Sequence, residues 1–185
     1  MSFVKPQINK GVEKLFQQYG KRKILKSKQI LIHQGQISQE IFLLKKGLLR
    51  YFYSSEEGKE ITRVFLRSPD VPLVHRFTSK DYEMIESLYS VETIGKCEVL
   101  SMSFDLFERY VKGSLEGAQF YIAKLEEIYL KREISLNEQQ TDLAKNNYLK
   151  LKEYLGDDLS LVNSKTMATY LNISAESLSR LKKTP

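Results

Sequence analysis

The hydrophobic pattern of this chain changes period along its length. From residue 27 to about 103 the apolar positions come in short runs: QILIHQG, EIFLLKKG, LLRYFYSSEEG, KEITRVFLRS, SLYSVETIG and KCEVLSMS. They are rich in β-branched and aromatic residues and are punctuated by Gly35, Gly47, Gly58 and Gly95, which predicts strands. Leu49, Tyr51 and Tyr53 alternate onto one face, with Arg50 and Phe52 on the other. SSEEGKE predicts a hairpin turn in which Gly58 supplies the positive φ. Many short strands at near-regular spacing point to a compact barrel, roll or sandwich.

The flanks carry helical spacing. Val12, Leu15 and Phe16 predict an amphipathic helix that Gly20 can end. The cluster Lys21, Arg22, Lys23, Lys26 and Lys28 reads as a solvated face. Leu106, Phe107 and Tyr110 mark a short helix, which Gly113 and Ser114 break. From about 115 to 137, Ala118, Ile122, Leu125, Tyr129, Arg132 and Leu136 recur at alternating four and three spacing. That is a coiled-coil-like seam, read as a dimer helix; a helix packed only on its own β domain is the alternative. Phe120, Tyr121 and Ile128 add apolar area beyond the seam, so the helix can also touch its own domain. A further helix at about 140–155 carries Leu143, Leu149, Leu151 and Leu155 and ends at Gly156 to Asp158. DLSLV reads as a short extended piece.

The tail predicts two short helices around a tight turn. Met167, Ala168 and Leu171 face inward from the first, and LNI forms the turn. Ser174 is a good N-cap for the second helix, because its hydroxyl can accept from free first-turn N–H groups. This is a helix-turn-helix unit. At about 100° per residue, Leu178 and Leu181 fall together, with Ile173 as an anchor before them. Ala175, Glu176, Ser179, Arg180 and Lys183 fall opposite. One acid, one hydroxyl and one guanidinium suit base edges: arginine bonds guanine O6 and N7, glutamate accepts from cytosine N4, and serine reaches either kind of group. Ser164, Lys165, Thr166, Ser174, Lys182 and Lys183 are expected on phosphates.

Composition narrows the classes. With 185 residues and 42% hydrophobic content, the chain can fill a core as one medium domain or a domain with an appendage. A formal charge of +6 is compatible with nucleic acid without implying it. Cys97 is the single cysteine, so neither an intramolecular disulfide nor a cysteine-ligated zinc or iron–sulfur centre within one chain can form. Its expected role is a buried small residue rather than a redox sensor. His33 and His75 are far apart in sequence, without a paired H-x-H, which argues against a cupin-type metal enzyme; no metal and no catalytic residue is expected. With no signal-like start and no apolar run long enough to span a bilayer, the chain reads as soluble and cytoplasmic.

The order of these parts resembles the Crp/Fnr transcription regulators along nearly the whole chain. ILIHQGQISQEIFLLKKGLLRYFYSSEEGKEITRVFL is similar to the family's pattern of strand, glycine turn, I-x-x-G strand and G-K-E hairpin. MATYLNISAESLSRLKK resembles its helix-turn-helix signature, and the E-x-x-S-R triplet falls on Glu176, Ser179 and Arg180. The resemblance implies an α+β chain. Residues 1–114 would form a cyclic-nucleotide-binding-like β-roll (a double-stranded β-helix of jelly-roll type), 115–139 a dimerisation helix, and 140–185 an all-α helix-turn-helix domain. It also implies a homodimer on palindromic double-stranded DNA in a bacterial cytoplasm, with RNA polymerase as a further partner. A β-roll module whose tail does not read DNA is the alternative.

Departures from the family matter too. Leu73, Val74 and His75 stand where nucleotide-binding members carry Gly-Glu-Leu, and Ser87 and Leu88 stand where they carry Arg-Ser. The cyclic phosphate would lose its charge-assisted partner, so weak or absent binding of cyclic AMP and cyclic GMP is expected. No cofactor is expected, and a small effector of other chemistry stays open, with Arg63, Phe65, Val74, Arg76, Ser87 and Tyr89 as its expected lining. Five residues, Leu181 to Pro185, follow the Ser–Arg pair where family members often continue into a β-wing, so DNA affinity is expected to lean on dimerisation.

Overall fold

A computed structural model describes residues 9–73, 86–141 and 144–183. Helix α1 (Lys10–Tyr19) leads into strands β1 (Lys21–Leu25), β2 (Ile30–Ile32), β3 (Glu40–Ser54), β4 (Glu60–Arg67) and β5 (Ser90–Ser103). Helices α2 (Phe104–Gly113), α3 (Leu115–Thr141) and α4 (Ala144–Leu155) follow, then a 3-10 turn (Gly156–Leu161), α5 (Ser164–Tyr170) and α6 (Ala175–Lys183). The strands form one antiparallel sheet in the order β1-β5-β3-β4, with β2 also paired to β5. This is the expected α+β roll with helices after it.

Two expectations change, and a third gains a structure. The basic cluster is a solvated face, with Lys21, Arg22, Lys26 and Lys28 exposed and Lys23 half-buried, and its first part is strand β1, paired with β5 from Lys21↔Ser101 to Leu25↔Cys97. At a sheet edge, lysine and arginine can keep their charges in water while the backbone pairs on the other side. Gly47 and Gly95 do not end strands; they lie inside β3 and β5, so four expected runs fuse into two long strands. DLSLV is not extended: residues from Gly156 to Leu161 form the 3-10 turn.

Gly47 explains how one strand serves two cores. Before it, Ile41 and Leu43 face one cluster with α1, α2 and α3, while Phe42 and Leu44 face the roll interior. After it, Leu49 and Tyr51 face the interior and Leu48 faces out. The inward positions thus switch from even to odd numbers. The pairing register with β5 shifts on both sides of Lys46, and such a bulge moves every later side chain to the opposite face. Gly47 has φ 106°, and a Cβ there would lie 2.7 Å from Cys97 Sγ, so both the backbone and the packing demand glycine. Cys97 is buried and its thiol donates to the Leu48 carbonyl at 3.3 Å.

The outer face of the sheet is covered at both ends. At one end Val12, Phe16, Phe104, Phe107 and Phe120 pack on Ile41, Leu43 and Met102. At the other, α4, α5 and α6 share a core with the sheet: Leu151, Leu155, Met167, Leu171 and Leu178 pack with Leu48, Phe65 and Ile94. The C-terminal helices are therefore seated on the roll. Phe65 meets the Tyr170 ring at 4.9 Å between centroids. Arg67 donates to the Tyr154 carbonyl at 2.7 Å and pairs with Asp158 at 3.1 Å. The Tyr154 hydroxyl donates to the Phe65 carbonyl at 3.1 Å. Burial pushes that phenol up to about 12, so it stays a donor at neutral pH. No helix among the described residues is long and apolar enough to cross a membrane.

Candidate nucleic-acid interface

Local chemistry builds the helix pair at 164–183. The Asn163 side chain caps α5, accepting from the Thr166 N–H at 2.8 Å. Met167, Ala168 and Leu171 are buried. Asn172 adopts φ 53°, a left-handed position that asparagine tolerates well, and this ends the helix. The Ile173 N–H then returns to the Ala168 carbonyl at 3.0 Å. Ser174 caps α6, its hydroxyl oxygen accepting from the Ser177 N–H at 3.1 Å. Leu178 is buried and anchors α6 in the core shared with the roll.

That anchoring turns the opposite side outward. Ala175, Glu176, Ser179, Arg180, Lys182 and Lys183 are all exposed. Glu176, Ser179, Arg180 and Lys183 sit at successive helical spacings, on one face. The Glu176 carboxyl is held below its usual range by its own backbone N–H and the Ser174 hydroxyl, with a smaller pull from Arg180. The Arg180 guanidinium lies at a long 3.4 Å from the Ser177 hydroxyl. The face therefore presents an ionised acceptor, a hydroxyl and a fork of donors on a capped, anchored helix.

Among the residues expected on phosphates, Ser164, Lys165, Ser174, Lys182 and Lys183 are exposed, and Lys182 donates to the Ser164 hydroxyl at 3.2 Å. Thr166 is a correction: it is buried, because the side of α5 that carries it turns toward the roll, where the Thr62 N–H donates to the Thr169 hydroxyl at 3.3 Å.

Among the described residues of the expected effector set, Arg63, Phe65, Ser87 and Tyr89 do not share one pocket. Phe65 turns onto Tyr170 in the C-terminal core. Arg63 is exposed, its guanidinium 5.7 Å from the Tyr53 ring centre. Tyr89 meets Tyr51 and Tyr53 edge-on, each at 6.4 Å, and Ser87 donates to the Tyr89 carbonyl at 2.6 Å. Val74, Arg76 and His75 lie outside the described residues.

Helix α3 has two apolar sides. Phe120, Tyr121 and Ile128 pack with the roll. Leu115, Ile122, Tyr129 and Leu136, spaced by seven, are 76%, 56%, 62% and 42% exposed. Ala118 and Leu125 are half-buried between the two sides.

Two charged clusters had no sequence signal. Lys124 of α3 is buried against Asp70 at 2.5 Å and also reaches Glu127 at 2.9 Å, which Lys131 bonds in turn. Burial raises the Asp70 carboxyl, and Lys124 does not fully offset this. Burial also acts to raise Glu127, but Lys131 and Lys124 outweigh it and hold that carboxyl low. The second cluster centres on Arg50, buried with its guanidinium 4.2 Å from the Phe52 ring centre. It bonds Glu92 and Glu60 at 2.6 Å each. Arg50, Glu60 and Glu92 line a cleft of about 280 Å3 between the roll and the C-terminal helices, together with Lys28 from the roll and Lys165 from α5.

Neither a family model nor any curated protein matches the chain. Solved structures do. The c-di-GMP-responsive global regulator CLP of Xanthomonas campestris superposes with a TM-score of 0.71 at 12% identity, over 94% of this chain and 89% of that one. A putative transcriptional regulator of the Crp/Fnr family from Eubacterium rectale gives 0.70 at 18% identity, over 94% and 82%. FixK2 of Bradyrhizobium japonicum gives 0.69 at 13% identity, over 88% and 82%. The fold is that of the Crp/Fnr regulators. Within this Crp/Fnr fold, α5 and α6 occupy the C-terminal end of the chain and the polar face of α6 is open to solvent.

Proposed function

We propose that this chain is a DNA-binding transcriptional regulator that acts as a homodimer on a two-fold symmetric site. The observation that carries the reading is the outward face of α6. Glu176, Ser179 and Arg180 lie exposed on one side of a helix whose other side is locked by buried Leu178. That geometry suits insertion into the major groove, with Arg180 on a guanine and Glu176 on a cytosine amino group. The likeness in fold to regulators supports it. The exposed heptad stripe from Leu115 to Leu136 supports pairing of two α3 helices, which would set two copies of α6 about one DNA turn apart. In this reading residues 1–114 form the sensing or partner-binding part, 115–139 the pairing helix and 140–185 the reader, with RNA polymerase a further partner.

The reading includes no response to cyclic AMP. In support, Ser87 commits its hydroxyl to the Tyr89 backbone and offers no cation to a cyclic phosphate. The test is a titration of symmetric and scrambled duplexes by fluorescence anisotropy at fixed salt, without effector. A preference of about 10³ or more for one symmetric sequence is expected of a specific reader. Equal affinity for every duplex would overturn the reading.

A further inference from the structure

We infer that Arg132 sets the alignment of two α3 helices by meeting the partner's Glu133 across their seam. This rests on the homodimer reading above and deepens it.

The charges of α3 fall into two sets. Lys124, Glu127 and Lys131 are paired within the chain: Lys124 bonds Asp70 and Glu127, and Lys131 bonds Glu127. Arg132 and Glu133 are both exposed and make no ion pair among the described residues. Their own helix has no partner to offer. Three and four residues from Arg132 stand Ile128, Tyr129, Ser135 and Leu136, none of them acidic. The same positions around Glu133 are Tyr129, Leu130, Leu136 and Asn137, none of them basic. Adjacent residues on a helix do not face each other, so the two do not satisfy one another either.

Position ties them to the apolar stripe. Leu115, Ile122, Tyr129 and Leu136 repeat by seven and are exposed. Ala118, Leu125 and Arg132 follow the first three of these by three residues, which makes them the second row of the seam. Two copies laid side by side in the same direction and in register set each Arg132 into a hole of four residues on the facing helix. By heptad geometry these are the partner's Tyr129, Arg132, Glu133 and Leu136. Glu133 is the one acid in that hole. The layer then holds two guanidiniums and two carboxylates and is neutral. The forked donors of arginine suit a carboxylate, and its stem covers the apolar neighbours.

Other alignments lose this arrangement. Reversing one helix places Arg132 among Leu115, Ala118, Gln119 and Ile122, where the seam and its borders carry no acid. Sliding one helix by a heptad gives one arginine the partner's Glu126 and leaves the other facing Leu136, Gln139, Gln140 and Leu143, again without an acid. A guanidinium drawn out of water with no carboxylate is costly, so each wrong alignment is penalised. One ionic layer in an otherwise apolar seam lowers stability and in return specifies register.

The test reads the dimer constant of full-length protein by sedimentation equilibrium at fixed salt. Arg132→Glu alone and Glu133→Arg alone each set like charges at both contacts and should weaken the dimer at least about tenfold. Arg132→Glu with Glu133→Arg in one chain restores opposite charges and should return the constant to within about threefold of wild type. Mixing the two single variants also makes both contacts opposite in charge, so heterodimers should form at concentrations where neither variant pairs with itself. Lys152→Glu and Glu153→Arg, on exposed neighbours in α4, carry the same changes of charge and should dimerise as wild type does, alone or mixed. Alignment is read by Leu136→Cys, which oxidises to a linked dimer where two copies lie in the same direction and in register; the native Cys97 is buried. The linked yield should fall when Arg132→Glu is added and recover when Glu133→Arg joins it. If wild type dimerises but the single reversals leave its constant intact, or the double reversal fails to restore it, the role of Arg132 is wrong while the pairing of α3 stands. If wild type stays monomeric throughout, both fall together.

Discussion

Substituting Ile122 by aspartate tests the pairing helix with little confusion from folding. Ile122 is 56% exposed and belongs to none of the three hydrophobic clusters, so the protomer does not need it. Pairing of two α3 helices would bury the remaining half of each isoleucine. Full burial of such a side chain contributes about 1.5–3 kcal/mol, so the half contributes ~1 kcal/mol per protomer and ~2 kcal/mol per dimer. Ile122→Asp loses that and also places two carboxylates in the seam, where taking an ion out of water costs several kcal/mol. A total penalty of at least ~4 kcal/mol corresponds to a dimer constant weakened about 10³-fold. Sedimentation equilibrium over a wide concentration range reads this directly, and circular dichroism checks that the helices and sheet persist. A well-folded variant whose dimer constant moves less than about threefold, under ~1 kcal/mol, would refute the assignment of this face.

The remaining expectations are narrower. Arg180→Ala should cost roughly 1–3 kcal/mol on the selected site and relax preference at one base pair; uniform weakening on all sequences would make it a phosphate-binding residue instead. Ser174→Ala removes the α6 cap and should cost about 0.5–2 kcal/mol of stability by denaturant titration, with a matching drop in DNA affinity. Lys124→Met leaves Asp70 buried without its cation and should cost about 3–5 kcal/mol at neutral pH. Asp70 already titrates above its unfolded value. Without Lys124 it rises further, so the deficit should shrink as pH falls through the raised folded pKa and the carboxyl takes up a proton. A deficit independent of pH would rule out an uncompensated Asp70 charge as the cause. Millimolar cyclic AMP should leave the melting temperature unchanged in a thermal shift assay, whereas micromolar binding would contradict the proposed lack of a response to cyclic AMP.

What the sequence showed was local in origin. The helix pair at the C-terminus was legible because its signals are short-range: a serine cap, an asparagine at the turn, and apolar residues at helical spacing. The long helix was legible from its seam for the same reason. Strand β1 was not, because KRKIL becomes a strand only through pairing with β5, far along the chain. The fused strands were hidden because Gly47 reads locally as a stop, while its role is set by the cysteine across the sheet. Phe65 was placed in an effector pocket because its strand was legible but its partner, Tyr170, lay more than a hundred residues on. The same distance in sequence hid the cleft that joins Lys28 to Lys165.

The central claim is that α6 reads base sequence, and selection from a random duplex library by the purified, effector-free protein at fixed salt tests it most directly. The account predicts enrichment of a symmetric motif with a G·C pair in each half; recovery of DNA with no shared motif would contradict it.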